Sequence, residues 1–194
     1  MIIWLNGAFG AGKTQTAYAL RRRLPGSYVY DPENAGYFLR ANLPPALRPA
    51  DFQDLPLWRA LTVEMLRFLA EHHDGDLIVP MTVTNRAYYD EIIGGLSKEY
   101  EVRHLILCAT RETLKKRLAS RLEGRRSWGA LQMERCLRAF EEDITEQKLL
   151  TDGLTVEQAA ERAAEAAGLT LPEDRRSGPR KAFDRVVTQI RHIR

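Results

Sequence analysis

Gly7-Ala8-Phe9-Gly10-Ala11-Gly12-Lys13-Thr14 is the segment of this chain best equipped to do chemistry. Its glycines let the backbone curl so that successive N–H groups face phosphate oxygens with no Cβ in the way. A helix opening at about Lys13 would point its positive end at the same anion. The Lys13 ammonium then reaches the β- and γ-phosphates of a nucleoside triphosphate, taken as ATP, and the Thr14 hydroxyl can ligate Mg²⁺. A glycine-rich turn with an incidental lysine is the bland alternative. Context argues against it, because an apolar strand precedes the loop and a helical pattern follows.

Other polar residues fall where an acceptor could be held. Asp31 ends a short apolar run, at the strand edge beyond which ligands of open α/β sheets lie. It could accept a proton from an acceptor hydroxyl, with Glu33 as substitute, or Asp31-Pro32 could simply start a turn. Arg117, Arg121, Arg125 and Arg126 surround a glycine-containing break, so a lid over about 117–130 could close them on a transferred phosphoryl group. A solvated basic face is the alternative. Gln53, Trp58 and Arg59 could contact a base edge, although a Trp at a helix start is more often core, and Thr82 follows the third strand at the same edge. No acid closes Leu77–Met81, where an Mg²⁺-holding aspartate normally sits, so Asp31 could fill that role instead. His72 and His73 are adjacent and do not share a helix face, so no metal beyond Mg²⁺ is expected.

These residues need a scaffold, and short apolar runs alternate with helical periodicity as in a parallel sheet wrapped by helices. Strands are expected at Ile2–Leu5, Tyr28–Tyr30, Leu77–Met81, Arg103–Cys108 and, weakly, Lys148–Thr151. Helices are expected at about Lys13–Leu24, Leu55–His72 and Ala87–Lys98, from Thr110 with an inward stripe of Leu114, Leu118 and Leu122, and at 154–167 before Gly168. The fold class is therefore α/β, a three-layer P-loop nucleotide-kinase-like fold around about five parallel strands. Domain organisation reads as a body over 1–171, a linker over 172–179 and a basic amphipathic helix over 180–194.

At 194 residues the chain can bury one full core. Two cysteines are too few for a disulfide framework, no apolar run nears the ~18 residues of a membrane span, and no charged leader is visible. A cytoplasmic location is expected. Seven of the 29 Lys and Arg lie in 175–194 against one acid, Asp184, so a mildly acidic body ends in a basic tail suited to anionic partners. Phe183, Val186, Val187, Ile190 and Ile193 make one apolar stripe there. It fits a helix lying on a membrane surface and equally one docking its apolar side on the body. A nucleic-acid partner is not expected, since no base-reading module is visible.

Met1-Ile-Ile-Trp-Leu-Asn-Gly-Ala-Phe-Gly-Ala-Gly-Lys-Thr-Gln-Thr16 resembles the opening of bacterial tunicamycin-resistance proteins. So do Ser27–Glu33, Asp51–Arg59, Leu77–Thr82, Glu112–Leu118 and the terminal His192-Ile-Arg194, which together span nearly the whole chain. More distantly the layout is similar to nucleoside and nucleotide kinases and to antibiotic phosphotransferases. The resemblance implies ATP on Gly7 to Thr14, an acceptor-side carboxylate on Asp31 and lid arginines at Arg117, Arg121 and Arg125. It also implies protection from tunicamycin, a lipid-linked uridine-containing antibiotic, and attachment of the C-terminal helix to the inner face of the membrane. A uridine would suit Gln53 and Trp58. Phosphorylation of a sugar hydroxyl on the drug is the leading expectation. The rivals are ATP-dependent sequestration without chemistry and a general nucleoside or nucleotide kinase.

Overall fold

The apolar run after Met1 becomes β1 (Ile2–Gly7), buried at every residue because it is the middle strand of the sheet. The computed structural model describes residues 1–119 and 128–192. In it β2 (Tyr28–Val29), β3 (Leu77–Pro80), β4 (Val102–Cys108) and β5 (Lys148–Leu150) join β1 in the order β2-β3-β1-β4-β5, every pair parallel. Parallel strands must be covered on both faces, and the period-2 alternation of β1 divides the two cores. Ile2 and Trp4 face one, with Trp58, Leu66, Ile92 and Leu114. Ile3 and Leu5 face the other, with Leu20, Ala160 and Ala163.

The helices follow in chain order as α1 (Lys13–Arg23), α2 (Glu33–Asn42), α3 (Pro56–His72), α4 (Arg86–Tyr89), α5 (Arg111–Ala119), α6 (Trp128–Leu131), α7 (Met133–Glu142), α8 (Val156–Ala166) and α9 (Gly178–Arg191). The three-layer α/β arrangement is as expected. Three local differences stand out. Helix α2 was not foreseen: its Asn34 and Gly36 are weak helix formers. Gly36 is nevertheless required, because a Cβ there would sit 2.6 Å from the Phe52 ring. The helix expected over 87–98 is a short α4 running into a π-type stretch, Asp90–Gly94. Strand β1 reaches two residues further than its apolar run, because Gly7 keeps register with Leu107 of β4.

The C-terminal helix packs against the body with its polar side inward. Asp184 and Thr188 are buried, while Phe183, Val186 and Ile190 are more than half exposed. Arg22 of α1 donates to the Thr188 hydroxyl at 2.7 Å and to the Asp184 carbonyl, and Gln15 donates to the Arg185 carbonyl at 3.0 Å. Asp174 and Asp184 tie Arg176 between them, and hydrogen bonds from Arg176 hold the Asp174 carboxyl well below the usual carboxylate range. Docking by the apolar stripe is therefore corrected. The outer side of α1 offers Gln15 and Arg22, and only the polar face of α9 complements them. Among the described residues no helix is long and apolar enough to cross a membrane.

Asn6, at the end of β1, clamps three segments. Its carboxamide oxygen accepts from the N–H groups of Gly7 and Val83, and its NH₂ donates to the Val83 carbonyl and faces His104 Nε2 at 3.1 Å. A donor at that distance requires a lone pair on Nε2, so the imidazole is neutral, and burial pushes its pKa down to about 4. A depressed histidine favours the folded chain fully above its unfolded pKa of about 6.5, and this contribution is lost as pH falls toward 4. Stability should drop by up to about 2 kcal/mol between pH 7 and pH 5 through this group. Urea melts at the two pH values check this, with His104→Gln flattening the difference.

Candidate functional site

The loop between β1 and α1 has the curled form that its glycines permit. Gly7, Gly10 and Gly12 all have positive φ, at 135°, 88° and 102°. At Gly7 the restriction is also steric, since a Cβ would run into the Leu107 carbonyl oxygen. Lys13 is nearly buried and folds back over the loop, donating to the carbonyls of Gly7 at 2.9 Å and Ala8 at 3.1 Å. Thr14 stands beside it at the start of α1, which has no acidic residue in its first turn to oppose an anion. From Phe9 through Thr16 the segment lines a cavity of about 740 Å³. Gly7 and Ala8 lie beneath the lining and supply the carbonyls that hold Lys13.

The loop is braced from both sides. Thr82, after β3, is buried and donates its hydroxyl to the Gly7 carbonyl at 2.8 Å. Arg117 of α5 donates to the Ala11 carbonyl at 3.2 Å, the Thr151 hydroxyl at 3.1 Å and the Thr151 carbonyl at 2.7 Å. Burial lowers the pKa of its guanidinium, yet an arginine remains charged at neutral pH. Arg117 also lines the cavity, at the side where Thr151, Thr155 and Val156 form the wall. Arg121, Arg125 and the central part of the expected lid lie outside the described residues.

On the opposite side, α2 and the turn before α3 contribute Glu33, Tyr37, Arg40, Asp51, Phe52 and Gln53 to the lining. Gln53 is anchored by its NH₂ group to the Thr82 carbonyl at 2.9 Å, so this wall and the phosphate loop share a brace. Asp31 is buried after β2. One carboxylate oxygen accepts from the Glu33 N–H at 3.0 Å, starting α2, and the other faces His192 Nε2 at 3.8 Å. Of the two sequence readings of Asp31, the structure shows the turn: its carboxylate starts α2. It lies behind the cavity surface, with Glu33 and His192 in front.

Three expected contacts are withdrawn. Trp58 is fully buried, donates its indole N–H to the Pro32 carbonyl at 3.0 Å and packs on Phe52, so it is core. Arg59 is spent on Glu91, on the Gln53 carbonyl and on the face of Tyr88. Thr82 acts on the loop and not on the cavity. Thr82 directly follows the lining residue Met81, whereas the nearest lining residue to Trp58 and Arg59 is Gln53, before their helix begins. Conversely, Asn6, Thr151 and the α9 residues Thr188, Gln189 and His192 were missed. Asn6 had a signal, a polar residue closing an apolar strand just before Gly7; Thr188 and Gln189 had none, and His192 only its place in the terminal string that carries the family resemblance.

The AAA domain family profile matches residues 2–142. A tunicamycin resistance protein from Deinococcus radiodurans is 33% identical, with a TM-score of 0.76, covering 89% of this chain and 98% of that one. The chain belongs to the tunicamycin-resistance family of AAA-domain proteins. A sugar kinase from Janibacter sp. is similar at 20% identity and a TM-score of 0.63, covering 87% of this chain and 95% of its own. The APS kinase of Mycobacterium tuberculosis, in complex with AMPPNP and APS, is similar at 16% identity and a TM-score of 0.54, over 86% of this chain and 96% of its own. Curated protein sequences contain no match. The fold is thus the one used by small-molecule P-loop kinases, and family membership carries nucleotide binding with it.

Thr82→Val keeps shape but leaves the Gly7 carbonyl one donor short. Stability should fall by about 1–2 kcal/mol, with severalfold weaker triphosphate binding. Denaturant melts and nucleotide titration read both, and no change in either would show that the hydroxyl does not brace the loop.

Proposed function

We propose that this protein confers tunicamycin resistance by transferring the γ-phosphoryl group of ATP to a sugar hydroxyl of the drug. One observation supports the reading: the phosphate loop and a polar wall carrying Glu33, Arg40, Asp51 and Gln53 line the same cavity in a tunicamycin-resistance chain. The amides from Gly7 to Thr14 would surround the phosphates. Lys13 would leave the carbonyls of Gly7 and Ala8 for the β- and γ-oxygens. Thr14 would hold Mg²⁺, which when bound neutralises developing phosphate charge. Arg117, with Arg121 and Arg125 from the lid, would spread the charge of the transferred group. Glu33 and Gln53 would meet the uridine-containing acceptor. The hydroxyl oxygen bonds to the γ-phosphorus, its proton passes to Asp31, and the bond to the β,γ-bridging oxygen breaks to release ADP. Orientation in the cavity supplies much of the acceleration.

Sequestration without chemistry has one observation in its favour: the Asp31 carboxylate stands behind the cavity surface. Under transfer, Lys13→Ala and Asp31→Asn both lose protection, each with at least about a hundredfold fall in turnover. Under sequestration Asp31→Asn keeps protection. Mass spectrometry of drug incubated with protein and Mg-ATP decides between them: a phosphorylated product is expected, and its absence under protecting conditions removes the transfer claim. A general nucleoside kinase would instead turn over natural uridine derivatives.

The location fitting this reading is the cytoplasm, with the outward row of Phe183, Val186 and Ile190, flanked by Arg180 and Arg191, resting on the inner face of the membrane. Anionic vesicles should co-sediment the full chain and not one truncated before residue 180. Equal sedimentation would place the contact elsewhere.

A further inference from the structure

The helix α9 is strapped to α1 and contributes to the lining of the cavity. Near its middle Arg185 pairs with Glu157, at the start of α8, at 3.2 Å, and its carbonyl takes the amide of Gln15. At its end His192 rests against Tyr18, with ring centroids 5.1 Å apart, and faces Asp31. Thr188, Gln189 and His192 all line the cavity. His192 marks the acceptor end, because Asp31 follows β2 there. Its Nδ1 lies 2.7 Å from the Thr188 carbonyl, which can only accept, so that nitrogen carries the proton and the ring is fixed in orientation. Gln189, one turn earlier, brings a carboxamide that can both donate and accept. Thr188 is occupied, accepting from Arg22 and donating to the Asp184 carbonyl, and so belongs to the latch.

We propose that Gln189 and His192 are acceptor-binding residues, so that the C-terminal helix supplies the third wall of the acceptor site for a hydroxyl- and amide-rich ligand such as a nucleoside sugar. This deepens the proposed function and rests on it. The wall exists only while α9 is docked, and docking is polar: Asp184 is held by Arg22 at 3.8 Å and by Arg176 at 2.7 Å. Two kinds of change should therefore have the same effect, removal of the contacting side chains and release of the latch.

Full-length wild type, Gln189→Ala, His192→Ala, His192→Gln and Asp184→Ala are compared by calorimetry for tunicamycin in the presence of a non-hydrolysable ATP analogue, and separately for the analogue alone. The alanine variants should each weaken drug binding about tenfold. Analogue binding should stay within about twofold, and His192→Gln should retain more affinity than His192→Ala. Adding Gln189→Ala to Asp184→Ala should cost little more, since an undocked helix has no contact left to lose. Drug affinity unchanged in all the variants, or a parallel loss of analogue affinity, overturns this inference alone. Wild type that fails to bind the drug overturns it together with the functional reading.

Discussion

The geometry of the site depends on one junction, where β1 turns into the phosphate loop at Gly7. Its N–H is taken by Asn6 and its carbonyl by Lys13 and Thr82, while its α-carbon lies against the Leu107 carbonyl too closely for any side chain. A backbone with a donor and an acceptor so fully engaged has little freedom, and a rigid loop can present several N–H groups to an anion without reorganising. The sheet serves this junction. With β1 in the middle, β3 delivers Thr82 from one side and β4 delivers Leu107 and His104 from the other.

A second constraint is the sharing of braces between the phosphate loop and the cavity wall that carries Gln53. Thr82 gives its hydroxyl to Gly7 and its carbonyl to Gln53; Arg117 grips the loop and the segment after β5 together.

The strap formed by α9 inverts the usual use of an amphipathic helix. Its buried side is ionic and hydrogen-bonded, and its apolar side faces outward. Polar docking releases little hydrophobic free energy and is weakened when water or salt competes for the charges. A helix held this way remains available to another apolar environment, whereas one docked by Phe183, Val186 and Ile190 would not.

Sequence alone determined what depends on local chemistry and period. Glycine spacing announced the phosphate loop, apolar runs announced five strands, and Gly168 marked the end of α8, where a positive φ is found. Tertiary structure decided the phase and the partners. Trp58, Arg59 and Thr82 carry plausible functional groups, but burial and prior hydrogen bonds commit them to the scaffold. The cavity lining gained Tyr37 and Arg40 from a helix whose glycine made it hard to foresee, and His192 from the far end of the chain. The physical reason is that a nucleotide loop is written within eight consecutive residues, whereas an acceptor wall is assembled from segments that meet only after the chain has folded.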